Sequence, residues 1–224
     1  MVYDHIEKAV FIDRPNRFIA HVNRNGTVEA VHVKNTGRCK ELLVPGAEVW
    51  LSGADKTARK TAYDLIAVRK SNGLLVNIDS QAPNAAALEW LQAQDFDRIV
   101  PEYAYGSSRI DFYMERGSDR FLMEVKGCTL EEDGVGYFPD APTQRGVKHL
   151  RELIGAKEEG YRAILAFVIQ MDGVAEVRAN VKTHPAFGEA LEEAKRAGVR
   201  ILFLPCRVTP DGIRAVPPKG LDAF

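Results

Sequence analysis

Cysteine is scarce in this chain. Cys39, Cys128 and Cys206 are the only three, they lie far apart, and no Cys-x-x-Cys pair occurs. That excludes a zinc knuckle and a disulfide framework and predicts buried structural thiols. Long apolar runs are also missing: the longest, residues 163–169, falls far short of the roughly 20 residues that span a bilayer. The first residues, MVYDHIEK, alternate and carry acids early. Without a basic segment leading into an apolar one they predict no secretory signal, and hence a cytoplasmic protein. No nucleotide-binding glycine loop follows any strand-like segment, which counts against a sugar-metabolising enzyme acting on small molecules. No helix-turn-helix pattern with a basic recognition helix is present either.

An excess of one charge is absent as well. The 224 residues carry 30 Lys+Arg against 31 Asp+Glu, so a strongly basic nucleic-acid binder is excluded. The distribution is uneven, however, with 12 basic and 9 acidic residues in 1–80 and 18 against 22 in 81–224. A locally basic groove remains compatible with that pattern.

Residues 1–80 read as short strands at 5–13, 17–22, 28–33, 47–51, 62–69 and 74–78, separated by turn sequences such as Asn25-Gly26, Pro45-Gly46 and Asn72-Gly73. Strands so spaced, without a long helical pattern, predict a small β-barrel or sandwich. From residue 81 the composition changes. A helix is expected over 84–94 with Asn84 as cap, then strands at 98–105, 109–115 and 120–130. A glycine-bearing acidic loop at 131–139 precedes a helix over 141–159 with Asp140 as cap and Pro142 in its first turn. The apolar segment 162–169 suits a strand covered on both faces. A helix over 185–197, a strand over 199–208 and a final short strand complete a mixed α/β pattern. The boundary is placed near Ser80, giving domains 1–80 and 81–224.

The chemistry concentrates in Arg109-Ile110-Asp111-Phe112 and Met123-Glu124-Val125-Lys126-Gly127. Both segments alternate polar and apolar residues, as strands with one buried face do. If the intervening turn is centred between Gly117 and Ser118, Asp111 lies opposite Glu124 and Arg109 opposite Lys126. Those four side chains then share one face, with Ile110, Phe112, Met123 and Val125 on the other. Two carboxylates about 5 Å apart repel unless a cation lies between them. Oxygen ligands favour Mg²⁺ or Mn²⁺, with the Val125 carbonyl as a further ligand. An ammonium at Lys126 would orient a water or stabilise a developing phosphoryl charge. The same alternation also describes a solvated sheet face on which Glu124 merely pairs with Lys126 or Arg109. The unbroken apolar strand that follows argues against that, because a polar face inside a covered sheet is costly without a use. Glu102, Gln144, Arg145 and Lys148 are the nearby companions, and His149 alone reads as structural.

The strings HVKNTG (32–37), SSRIDF (107–112), Glu124-Val125-Lys126 and YFPDAPTQRGVKHLREL (137–153) resemble the bacterial and archaeal sugar fermentation stimulation protein family. The resemblance implies an N-terminal OB-like barrel and a C-terminal α/β domain of the PD-(D/E)XK nuclease type. It also implies DNA binding and a link to sugar-utilisation genes, maltose metabolism in particular. On it, Asp111 and Glu124 are the metal-binding acids, Lys126 the catalytic lysine, Gln144 a helix-borne catalytic glutamine and Glu102 an additional acid. Arg38, Lys40, Lys56, Arg59 and Lys60 of the barrel, with Arg109, Arg145 and Lys148, would hold a nucleic-acid backbone. Ile110 stands where the nuclease motif's name has proline. The implied partners are DNA and a second copy, since nucleases of this type are often dimers. The alternative is a non-catalytic DNA-binding transcriptional regulator that retains the nuclease fold.

Overall fold

The computed structural model describes residues 1–35, 37–53 and 61–216. Six strands come first: β1 (Ile6–Asp13), β2 (Ile19–Arg24), β3 (Thr27–Val33), β4 (Glu48–Gly53), β5 (Tyr63–Arg69) and β6 (Leu75–Asn77). Asn25 and Gly26, at φ +53° and +84°, make the two-residue turn whose twist matches the β2–β3 hairpin. Strand order is β3-β2-β1-β4-β5-β6, and a parallel β3–β5 pairing (His32 with Asp64, Val33 with Leu65) closes five strands into an OB-like barrel. Closure removes unpaired edges. Alternate residues, among them Ala20, Val22, Val31, Val33, Val49, Leu51 and Leu65, fill the interior.

The rest of the chain builds a second sheet with three helices. Its elements are α1 (Ala82–Gln92), β7 (Arg98–Tyr105), β8 (Ser108–Arg116), β9 (Asp119–Cys128), β10 (Leu130–Glu132), β11 (Val135–Phe138), α2 (Gln144–Glu158), β12 (Arg162–Ile169), β13 (Val177–Ala179), α3 (Pro185–Arg196), β14 (Arg200–Thr209) and β15 (Gly212–Ala215). The large sheet runs β15-β14-β12-β9-β8-β7, with β9, β12 and β14 mutually parallel. Ile164, Ala166 and Val168 of β12 pack with α1, while Ala163, Leu165 and Phe167 pack with α2 and α3. The apolar run therefore is a strand covered on both faces, and the mixed α/β class is the observed one. Among the described residues no helix is long and apolar enough to cross a membrane.

Three local expectations are corrected. Helix α1 starts at Ala82 with Gln81 as its cap residue; Asn84 lies within the helix and is used elsewhere. Helix α2 starts at Gln144, and its cap is Thr143, whose Oγ1 accepts from Gly146 N–H at 3.0 Å. Pro142 disfavours helical backbone at Ala141, so neither Asp140 nor Pro142 belongs to the helix. Thr143→Ala is expected to cost about 1 kcal/mol and to lower the melting temperature by roughly 2–4 °C, readable by circular dichroism. Finally, the segment read as a loop holds β10 and β11, which join β13 in a three-stranded sheet. Asp133 and Gly134, at φ +50° and +79°, form their two-residue turn. Gly136 lies close to Cys128 Sγ and Glu176 O (3.0 and 3.1 Å from a notional Cβ), so a side chain there would press on both by a few tenths of an ångström.

Barrel and sheet meet through polar groups. The Asn77 N–H donates to Gln170 O at 2.9 Å, and the Tyr3 N–H to Asp211 O at 2.8 Å. Asp79, fully buried, accepts from Tyr3 OH and Lys34 Nζ, each at 3.3 Å, and from Gln81 N–H at 2.9 Å.

Candidate metal centre

Strands β8 and β9 pair from Arg116 with Asp119 to Phe112 with Met123, the register expected from the turn. The ladder stops there. One residue further, Asp111 Oδ2 accepts the Val125 N–H at 2.7 Å, so a carboxylate occupies the place of a backbone partner. A strand residue's N–H and C=O point to the same edge. The Val125 carbonyl is therefore aimed at the same opening.

Asp111 also interrupts the pleat. Phe112 and Met114 pack with α1, whereas Ile110 packs in the opposite core with Tyr113 and Leu122. Ile110 and Phe112 thus do not share a face, contrary to strict alternation. The cause lies on β7, where Pro101 pairs with Phe112 and Tyr103 with Ile110. Glu102, between them and across from Asp111, adopts φ +53°. A left-handed residue inside a strand turns the chain over, and the flip carries Asp111 out of the ladder.

Two helices hold the two acids. Asn84 of α1 donates from Nδ2 to Asp111 Oδ1 at 2.8 Å. His149 of α2 is 4% exposed and donates from Nδ1 to Glu124 Oε1. Its Nε2 accepts from Arg145 Nε at 3.1 Å, which fixes that tautomer. Lys126 Nζ lies 2.6 Å from Glu124 Oε1. Glu124 is 2% exposed, and its other oxygen, Oε2, is buried without a partner among the described residues.

The acids are driven apart in acidity. Burial, then the neighbouring Glu124 charge, raise the Asp111 carboxyl above its ordinary value despite the Val125 and Asn84 hydrogen bonds. Burial pushes Glu124 upward too, but the His149 hydrogen bond and the Lys126 charge outweigh it, so Glu124 sits below the usual carboxylate value. Desolvation raises both carboxyls; the neighbouring charge adds to it at Asp111 and overrides it at Glu124.

The donor set fits a hard divalent cation. Glu124 Oε2 has free lone pairs, each Asp111 oxygen has spare capacity, and the Val125 carbonyl supplies a neutral oxygen. Mg²⁺-type ions take one or two carboxylates and leave the remaining positions to water and phosphate oxygens. No group of three or more His, Cys, Asp or Glu arranged for a metal occurs among the described residues, so exposed Glu102 is not gathered with the pair.

The other expected residues lie at varying distances from it. Gln144 is exposed at the first residue of α2, and Arg145 is exposed beside His149. Lys148 Nζ reaches Ser108 Oγ at 2.8 Å and Glu152 at 3.4 Å rather than the acids. Arg109 is exposed on β8, and Arg38 and Lys40 are exposed after β3. That segment is fixed by Arg14, whose guanidinium donates to the Asn35, Gly37 and Arg38 carbonyls at 2.5, 2.9 and 3.1 Å. Lys56, Arg59 and Lys60 lie outside the described residues. All three cysteines are free and buried, and burial pushes the Cys128 thiol up to about 12.

Asn84 and His149 were not singled out as site residues from the sequence. For His149 a signal existed: it stands at i, i+4, i+7 with Leu153 and Ala156, on the buried stripe of α2. For Asn84, an apparent cap concealed its use.

Residues 12–78 match the family model for the SfsA N-terminal OB domain, and residues 81–212 that for the sugar fermentation stimulation protein RE domain. The chain belongs to the sugar fermentation stimulation protein family. A family homologue from Desulfitobacterium hafniense (strain Y51) is 53% identical over 218 residues, covering 96% of this chain and 95% of the relative. Another from Ruminiclostridium cellulolyticum is 48% identical over 212 residues, 93% of each. The solved structure of Pyrococcus furiosus SfsA in complex with Ca²⁺ superposes with a TM-score of 0.85 at 28% identity, covering 97% of this chain and 96% of that one. The family architecture thus spans nearly the whole chain.

Proposed function

We propose that this family member is a DNA-binding, metal-dependent phosphodiesterase of the cytoplasm. In this reading residues 1–80 form the nucleic-acid-binding domain and residues 81–224 the nuclease-type domain. The observation that carries the reading is the opened β8–β9 ladder. There the buried Glu124 and the half-buried Asp111 come together beside an ammonium, and Glu124 Oε2 has no partner among the described residues. A solvated sheet face does not bury its acids in this way. The Ca²⁺ of the Pyrococcus furiosus relative supports a divalent ion, because Ca²⁺ seeks the same hard oxygen ligands as Mg²⁺ and Mn²⁺.

Asp111, Glu124 and the Val125 carbonyl would hold the ion. Bound there, it supplies Lewis-acid stabilisation of phosphoryl charge and lowers the pKa of a coordinated water. Lys126, fixed by Glu124, orients the attacking water and stabilises the charge that develops on the phosphoryl oxygens. His149 and Arg145 keep the Glu124 carboxylate in one orientation, and Asn84 does the same for Asp111. Gln144 positions water or substrate at the α2 end. Arg109, Arg145, Lys148, Arg38 and Lys40, with Lys56, Arg59 and Lys60, bind the phosphate backbone. The free, buried thiols suit a reducing compartment.

The test is incubation of the purified full chain with single-stranded, nicked and branched DNA. Cleavage with Mn²⁺ that EDTA stops is the expected result. A footprint at a defined operator with no metal-dependent cutting would replace this reading with that of a regulator of sugar-utilisation genes.

A further inference from the structure

A cavity of about 140 Å³ opens where the barrel meets the sheet. An apolar cavity of about that volume accepts a benzene ring, so this one is sized for a single six-membered ring. It shares a wall with the metal centre. Gly127 lines it and follows Lys126; Pro83 lines it and precedes Asn84, the residue that holds Asp111. Consecutive Cα atoms lie about 3.8 Å apart. Lys126 and Gly127 are adjacent on β9 and face opposite sides of the strand, so the ammonium and the cavity are separated by that strand's backbone.

The lining is rich in acceptors. Gln170 is 2% exposed, and its Nε2 donates to Asn77 O, Asn77 Oδ1 and Asp79 O, each at 3.1 Å. Those bonds pin the amide with Oε1 turned toward Gly127, and Oε1 accepts no hydrogen bond among the described residues. Asp140 also lines the cavity, and its carboxylate has no hydrogen-bond or ion-pair partner among the described residues. Thr129, 8% exposed, adds a hydroxyl, and Phe138 and Pro83 supply apolar faces. A Cβ at Gly127 would collide with Gln170 Oε1 and Pro83 Cγ, so the wall can be this close only with glycine.

We propose that the cavity receives one extruded pyrimidine carrying an exocyclic amine, cytosine, from the nucleotide whose phosphate lies at Lys126. The inference rests on the phosphodiesterase reading and names its substrate more closely. Enzymes acting on nucleic acids read an extruded base by its Watson–Crick edge and by stacking. The two hydrogens of the cytosine amine satisfy Asp140 and Gln170 Oε1, and the Thr129 hydroxyl donates to the ring nitrogen. Thymine would turn its O4 acceptor against the Asp140 carboxylate and leave both acceptors unpaired.

Calorimetric titration of the full chain with dCMP, dTMP and glucose tests this without reference to cleavage. The expected result is dCMP binding about tenfold tighter than dTMP, the discrimination typical of one good base contact. Asp140→Asn should reduce that preference to within about twofold by replacing half of the carboxylate with a donor. Lys126→Ala should leave the ratio between the two affinities unchanged, since it meets only the phosphate that both nucleotides share. Equal affinity of the unaltered chain for dCMP and dTMP, no binding of either, or a preference untouched by Asp140→Asn would each overturn the pocket. Glucose binding that Asp140→Asn abolishes would overturn it in favour of a polyol. None of these outcomes bears on Mn²⁺-dependent cleavage, so the two readings fail separately.

Discussion

Lys126→Ala is expected to lower kcat for Mn²⁺-dependent DNA cleavage by a factor of about 10²–10³, the loss typical of one preorganised group aimed at transition-state charge. The fold should persist. Glu124 keeps its His149 partner after the substitution, and Lys126 is 14% exposed in its side chain. KM should change little, because an interaction made chiefly in the transition state appears in kcat. Asp111→Asn is the companion variant. Its amide oxygen can still accept the Val125 N–H, so the opened ladder survives while one negative charge is removed. It should raise the Mn²⁺ concentration needed for half-maximal cleavage as well as lower kcat. Single-turnover cleavage on a labelled substrate reads both effects. If both variants cut DNA as fast as the unaltered chain, the catalytic assignment falls.

The second large effect is structural. Asp79→Ala is expected to destabilise the chain by about 3–5 kcal/mol, the range seen when one member of a buried charge pair is removed. For a chain of this size that is on the order of 10 °C in melting temperature. Asp79 is fully buried at the join of barrel and sheet, with Tyr3, Lys34 and the Gln81 N–H on its oxygens. Alanine would remove the shared acceptor of all three donors, of which Lys34 keeps an ion pair with Asp64 at 3.3 Å. Asp79→Asn retains acceptor capacity and should cost less than half as much. A loss below about 1 kcal/mol for Asp79→Ala, measured by chemical denaturation, would show that this network contributes little to holding the barrel to the sheet.

Much of the site could be read from local sequence. Gly117 and Ser118 form a turn, at Gly117 with φ +55°, and the turn alone dictates that Phe112 pairs with Met123. The same register brings Asp111 to Glu124 and Lys126. What alternation could not show is that Asp111 leaves the ladder. That depends on left-handed Glu102 in a neighbouring strand, a backbone choice that no periodicity encodes. The helix starts were misjudged for a related reason. Asn84 and Asp140 look like caps, but Asn84 is taken by Asp111, and Thr143 has the hydroxyl that reaches Gly146 N–H.

By itself the sequence determined most of the strands, the hairpin register, the burial of the thiols and which two acids and which ammonium the hairpin carries. Each of these follows from interactions between residues near one another in the chain. Only the tertiary structure decided that His149 and Asn84, 25 and 27 residues from the acids they orient, complete the centre, and that a ring-sized cavity opens behind Gly127. Such contacts depend on how separate helices pack across a sheet, and packing is settled by the summed burial of the whole core rather than by any local pattern.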